Sequence, residues 1–211
     1  MTVSSQPSDP IPSFASAARS FAALVHEIPR DRWDGAGLGE WDLRALVGHT
    51  SRSLITVSTY LQQPAEREDI TTPQEYYARV NPTALGLAPA GIVERGRQAG
   101  RNLGDDPAAK VDELVSRVLD ELCEAGDPLI EVIGGAGIRL HTYLPTRTFE
   151  LAVHGLDIAR AVGVSFALPA DVLEETAALA ARIAVAVGHG ETVLLALTGR
   201  AGLPSSFSAV F

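Results

Sequence analysis

Cysteine is almost absent from this chain, because Cys123 is the only one among 211 residues. An intramolecular disulfide is therefore excluded, and with it the class of small secreted domains that disulfides hold together. We expect a reducing, cytoplasmic location. Cys123 lies beside the apolar stripe of a predicted helix, and we interpret it as a small core or flanking residue rather than a nucleophile.

Long apolar runs and an excess of basic residues are also missing. No run approaches the ~18 apolar residues that a membrane-spanning helix needs. The formal net charge is −9 and the pI is near 5.0, which disfavours nucleic acid and anionic membranes as partners. Residues 1–12 are rich in Ser and Pro and lack the basic and apolar regions of a signal peptide, so we expect a flexible lead-in.

Aromatic residues make up only 6% of the chain, and the abundance of Ala, Leu and Val favours packed helices over a β-sandwich. Apolar residues at helical spacing predict four main helices and one further C-terminal helix, over 13–28, 43–62, 107–125, 145–162 and 171–187, and Gly163 ends the fourth. Shorter helical pieces are predicted over 88–103 and over 74–80, where Pro82 ends the second. The glycine-centred segment 129–143 predicts a hairpin or a structured loop. The sequence therefore predicts an all-α fold with a possible small hairpin before the fourth main helix.

Two residues of the fourth main helix have the spacing of metal ligands. Glu150 and His154 are four positions apart, so they project from one helix face and can share a divalent cation. Asp157, three positions further on, can orient the imidazole of His154. The alternative is a solvated Glu–His pair on a helix surface.

A third candidate ligand, His49, lies at the edge of the apolar stripe of the second helix and points along the seam between helices. Taken alone, it is more typical of a hydrogen-bonded boundary histidine than of a metal ligand. Helix bundles build metal sites from inward-facing side chains on different helices, and a set of two His and one Glu leaves coordination positions open, as catalytic sites do. Nitrogen and oxygen donors favour zinc first, and also suit nickel, cobalt, manganese or ferrous iron.

Residues 39–50 read GEWDLRALVGHT and residues 147–157 read RTFELAVHGLD. Together these two stretches resemble the mycothiol-dependent maleylpyruvate isomerase family of DinB-like metalloenzymes. The resemblance covers the first ~165 residues. It implies a DinB-like metal-binding four-helix bundle over 13–163, with a C-terminal helix and tail over 164–211 packed on it. The isomerase itself has a further C-terminal α/β domain, so a short member of the family is expected here.

The same resemblance implies that His49, Glu150 and His154 are the metal ligands. The implied activity is that of a metal-dependent enzyme that activates a thiol, mycothiol in the family, for addition or transfer to a small electrophilic or unsaturated substrate. The enzyme would be an isomerase or an S-transferase. The expected partners are this small substrate and a low-molecular-weight thiol, and a homodimer is a possible assembly.

Further residues have candidate roles in this activity. Asp157 would orient a ligand, and Arg52, Arg79 or Arg147 would hold a carboxylate of the substrate. Two other functions stay open. One is a non-catalytic bundle that binds a metal or a small ligand. The other is a metal-dependent hydrolase, for which His141 is the one candidate general base.

Overall fold

A computed structural model describes residues 9–80, 86 and 88–210. Within them the chain forms eight helices and one two-stranded sheet, which are α1 (Ile11–His26), α2 (Leu43–Tyr60), α3 (Pro73–Arg79), α4 (Pro89–Arg101), α5 (Pro107–Ala125), β1 (Leu129–Val132), β2 (Ala136–Arg139), α6 (Leu140–Val162), α7 (Ala170–Ala186) and α8 (Gly190–Leu197). The predicted all-α fold with a small hairpin is confirmed. Residues 1–8 of the predicted lead-in lie outside the described residues, and so does Pro82. Helix α1 begins at Ile11, before the end of the predicted lead-in at residue 12.

The bundle packs around one core that the apolar stripes of the helices share. Helix α1 packs against α5, α6 and α7, while α2 packs against α4, α5 and α6. Phe14 and Phe21 of α1 and Leu46 and Leu54 of α2 are completely buried. Each such side chain contributes about 1.5–3 kcal/mol on burial, so the periodic stripes largely determine which face of each helix turns inward.

Helix α2 begins at a side-chain cap and approaches α4 to backbone contact. The Ala45 amide donates to Asp42 Oδ1 at 2.7 Å, which makes Asp42 the N-cap of the helix. A Cβ atom on Gly48 would lie 2.2 Å from the Gly100 amide nitrogen, so this crossing needs glycine. Because His49 follows Gly48, the contact fixes the rotation of α2 at the point where its candidate ligand lies.

Helix α6 begins at Leu140, so the prediction that it starts at Pro145 is wrong. Pro145 lies inside the helix, where it removes one backbone hydrogen bond at a cost of about 3 kcal/mol. Leu140, Tyr143 and Leu144 are completely buried by the helical course, and each contributes about 1.5–3 kcal/mol. Burial therefore outweighs the proline. The second strand of the hairpin accordingly ends at Arg139 rather than extending to Tyr143.

The hairpin is held against the bundle by the segment before α3. Its register pairs Ile130 with Ile138, and both side chains are buried. Ile70 forms an isolated bridge to Ile138, and the Gly137 amide donates to Asp69 Oδ2 at 3.0 Å. The hairpin is thus covered on one side by this segment and leads on the other directly into α6.

The C-terminal part contains two helices where the sequence predicted one. Helix α7 packs against α6, α3 and α1, and α8 packs against α7. Leu194 and Leu197 of α8 remain 62% and 75% exposed. Neither these helices nor any other helix among the described residues is long and apolar enough to cross a membrane.

Candidate metal centre

Three side chains that are distant in sequence meet where α2 faces α6. His49 comes from α2, and Glu150 and His154 come from successive turns of α6. One donor atom from each lies within 4.8 Å of the other two. His154 Nε2 is 3.3 Å from Glu150 Oε2, and the rings of His49 and His154 meet edge to face at 5.1 Å between centroids. Ligands of one zinc ion lie about 3–4 Å apart, so the spacing is close to that of a single ion.

The α6 side of the centre is sheltered but not fully buried. The side chains of His154 and Glu150 are 15% and 22% exposed. Because they are four residues apart on a helix whose opposite face is buried in the core, both point along the seam toward α2. Solvent therefore reaches part of each of these two side chains.

His49 is held in its neutral form. Partial burial, followed by the charge of His154, lowers the pKa of His49 to about 4. At neutral pH its ring therefore keeps a free lone pair, the state that binds metals.

Glu150 and His154 form a coupled pair. Burial opposes ionisation of Glu150, but the hydrogen bond with His154 and the charge of Arg147 outweigh it and lower the pKa of Glu150 to about 2. Burial likewise opposes protonation of His154, but its hydrogen bonds with Asp157 and Glu150 raise its pKa to about 9. Without an ion, this pair is a carboxylate and an imidazolium. A cation that binds here must therefore displace the proton of His154.

Asp157 lies beside the other ring nitrogen of His154. Its Oδ2 is 3.3 Å from His154 Nδ1, and its Oδ1 is 3.7 Å from the guanidinium of Arg160. A carboxylate on Nδ1 keeps the proton there and directs the lone pair of Nε2 toward Glu150 and His49. The geometry suits the orienting role that the spacing predicted for Asp157, and that role stays a prediction.

Tyr77 is a contact that the sequence reasoning missed. Its hydroxyl lies 2.9 Å from Glu150 Oε1 and 3.0 Å from the carbonyl of Thr146, and its side chain is 6% exposed. Each oxygen of Glu150 therefore has a partner, Tyr77 on one side and His154 on the other. The Tyr76-Tyr77 pair is visible in the sequence, but no spacing rule connects α3 with α6.

Trp41 forms one wall of the centre. Its indole stacks on the ring of His49 at 4.4 Å between centroids, and its Nε1 donates to the carbonyl of Val93 at 3.0 Å. Gly96 makes room for it, because a Cβ there would lie 2.5 Å from that nitrogen. Trp41 thus packs against α4, and through the stack it also restricts the ring of His49.

The arginines predicted to meet substrate are in different surroundings. Arg52 is partly buried one turn after His49, and its charge contributes to the low pKa of that histidine. Arg79 is 56% exposed and pairs with Glu75 at 2.7 Å. Its contacts among the described residues do not include the three candidate ligands, and its predicted role has no geometric support. Arg147 lies on the turn of α6 before Glu150.

A protein-family model matches most of the chain. The family model of the mycothiol maleylpyruvate isomerase N-terminal domain matches residues 14–159, which contain all three candidate ligands. None of the curated proteins or solved structures compared with the chain matches it significantly. The matched range spans most of the chain and runs from α1 through nearly all of α6. The chain therefore belongs to the mycothiol maleylpyruvate isomerase N-terminal domain family.

Proposed function

We propose that this protein is a metal-dependent enzyme that activates a thiol, mycothiol first of all, for addition or transfer to a small electrophilic or unsaturated substrate. The outcome is isomerisation or S-transfer. The observation that carries the proposal is the convergence of His49, Glu150 and His154 within 4.8 Å in a chain of this family.

The donor set fits a divalent cation. His49 offers a neutral imidazole and Glu150 an ionised carboxylate, because their pKa values are about 4 and about 2. His154 has its remaining nitrogen directed to Asp157, as metal-binding histidines commonly do. Three protein donors leave coordination positions open, and their mixed chemistry suits zinc, with nickel, cobalt, manganese and ferrous iron as alternatives.

Each residue around the centre then has a definable task. The chemistry that a bound divalent ion supplies is a lowered thiol pKa, so that a thiolate nucleophile exists at neutral pH. Tyr77 and His154 hold the Glu150 carboxylate in one orientation, while Asp157 keeps a proton on His154 Nδ1. Trp41 excludes water from one side of His49.

A metal-dependent hydrolase needs a separate general base, and His141 does not supply one. It lies in the first turn of α6, nine residues before Glu150, which corresponds to roughly 13 Å along the helix axis. The remaining alternative is a bundle that binds a metal or a small ligand without catalysis, and experiment separates it from the enzyme.

The test begins with the metal content of the purified protein after incubation with zinc, measured by elemental analysis. We expect equimolar metal in the wild type and its loss in His49→Ala with the fold retained by circular dichroism. His26→Ala is the matched control, because His26 pairs with Asp112 on an exposed surface at 2.8 Å. Metal-loaded protein is then assayed with mycothiol and a panel of electrophiles.

The outcomes are distinct. Thiol-dependent turnover that His49→Ala abolishes supports the enzyme. Stoichiometric metal with no turnover across the panel favours the binding protein. A wild type that takes up no metal, or a His49→Ala variant that keeps it, overturns the proposed ligand set.

A further inference from the structure

Arg147 has the surroundings of a residue positioned to bind an anion. The carbon of its guanidinium lies over the rings of Tyr76 and Tyr143, at 5.3 Å and 4.9 Å from their centroids. Its Nε donates to Thr146 Oγ1 at 3.0 Å. Tyr143 is itself fixed, because its hydroxyl donates to Thr56 Oγ1 at 2.9 Å. Two rings and one hydrogen bond therefore hold the plane of the guanidinium before any ligand arrives.

Most hydrogen-bond donors of Arg147 have no acceptor among the residues that the structure describes. A guanidinium carries five N–H donors, and only Nε is used by a hydrogen bond among the described residues. The side chain is partly buried, so these donors lie at a sheltered edge rather than in bulk water. Unpaired donors of a charged group in such a place are costly unless a ligand or water accepts from them.

The arginine does not simply neutralise the nearby carboxylate. Arg147 and Glu150 are three residues apart, at the helical spacing of an ion pair, but no ion pair within 4.0 Å joins them. The two oxygens of Glu150 are directed to Tyr77 and His154 instead. If Glu150 and Asp157 together balance a divalent cation, the charge of Arg147 remains uncompensated.

We infer that Arg147 binds the carboxylate of the substrate, beside the metal centre, and so selects small electrophiles that carry a carboxylate near the reacting carbon. This inference rests on the proposed function for the nature of the substrate. The helical spacing places Arg147 and Glu150 about 5–6 Å apart at their Cβ atoms, so the carboxylate must lie only a few bonds from the atom that reacts. A planar guanidinium suits a carboxylate because two parallel N–H donors match its two oxygens.

The test uses two thiols of equal length that differ in charge. Cobalt-loaded protein is titrated with 3-mercaptopropionate and with 3-mercaptopropionamide, and thiolate binding is followed by its near-ultraviolet charge-transfer absorption. We expect the carboxylate to bind about tenfold or more tightly than the amide in the wild type. The ratio of the carboxylate affinity to the amide affinity should fall to near unity in Arg147→Gln. Arg147→Lys should retain part of this ratio, because lysine keeps the charge but lacks the two parallel N–H donors.

Controls separate this role from others. Arg79→Gln should keep the full ratio, because Arg79 pairs with Glu75 on the surface. Arg147→Gln should keep equimolar cobalt and its fold, so that a lost ratio reports on the anion alone. If Arg147→Gln keeps the wild-type ratio, the inference is overturned, and loss of the ratio in Arg52→Gln instead would assign the role to Arg52.

A metal-free measurement distinguishes failure of this inference from failure of the proposed function. Metal-free wild type is titrated calorimetrically with succinate and with succinamide. A preference for succinate that disappears in Arg147→Gln supports the anion site even if the protein takes up no metal. No preference for the anion in either the metal-free or the cobalt-loaded protein overturns it.

Discussion

Replacement of Tyr77 by phenylalanine removes one hydroxyl from the centre and leaves the packing of the ring in place. The ring contacts Phe149 and Tyr76, at 5.4 Å and 5.6 Å between centroids, and phenylalanine preserves both. The hydroxyl donates to an ionised carboxylate, Glu150 Oε1, at 2.9 Å. A hydrogen bond to a charged group contributes about 1.5–3 kcal/mol, and its loss leaves an oxygen without its donor in a sheltered site. We expect the free energy of unfolding of the metal-free protein to fall by that amount.

Urea denaturation at neutral pH measures this change through the midpoint at constant slope. Thermal melting should show a decrease of about 3–12 °C, given about 2–4 °C per kcal/mol for a chain of this size. Tyr60→Phe is the matched control, because no hydrogen bond of its hydroxyl is seen among the described residues, and it should change stability by less than about 0.5 kcal/mol.

A double-mutant cycle with Glu150→Gln isolates the interaction itself. The coupling energy should be about 1 kcal/mol or more, because glutamine keeps an oxygen acceptor but loses the charge. A Tyr77→Phe variant as stable as Tyr60→Phe, or a coupling energy of zero, would refute the assignment of Tyr77 as a support of Glu150.

Three further predictions concern the same region. Because hydrogen bonds with Asp157 and Glu150 outweigh burial and raise the pKa of His154 to about 9, zinc must displace one proton. Zinc affinity measured by chelator competition should thus rise about tenfold per pH unit from about pH 6 to about pH 8, and a flat profile would contradict this. In the metal-free protein the proton on His154 stabilises the fold fully below pH 6.5, the ordinary pKa of histidine. This stabilisation should be lost as the pH rises through about 9, and urea midpoints measured across that range test it. Gly96→Ala should displace Trp41 and weaken both stability and zinc affinity. Gly91→Ala lies on the same helix with open space around its Cβ, so it should be neutral or stabilising by up to about 1 kcal/mol. Equal effects of the two substitutions in urea and zinc titrations would contradict the steric argument.

The parts of the fold that periodicity determines could be predicted from the sequence. The apolar stripes of α1 and α2 follow from residue spacing, and both helices lie close to their predicted ranges. The start of α6 was not predicted, because Pro145 is a strong local signal that burial of Leu140 and Tyr143 outweighs. Residue patterns within the segment do not predict this start, because the stabilisation comes from burial of these side chains against other helices.

The candidate centre divides in the same way. The separation of Glu150 and His154 is a property of one helix, so spacing alone puts them on one face. The contacts of Tyr77 with Glu150 and of Arg147 with Tyr76 depend on how α3 and α6 pack against each other. The residue pattern of either helix alone does not predict that packing. The stack of Trp41 on His49 requires the space that Gly96 leaves in another helix, and no spacing within one helix predicts it. The metal-binding role of the three residues remains a proposal that elemental analysis will test.

The donors of the centre come from two helices that are separated by roughly a hundred residues of chain. Before α2 packs against α6, only Glu150 and His154 are close together. The third donor, His49, joins them once α2 packs with the correct rotation. Uptake of the proposed ion would therefore report that α2 has packed against α6. Its binding energy would also favour the docked state over the open one by mass action, so that the supply of free ion in the cell would set how much of the chain stays assembled.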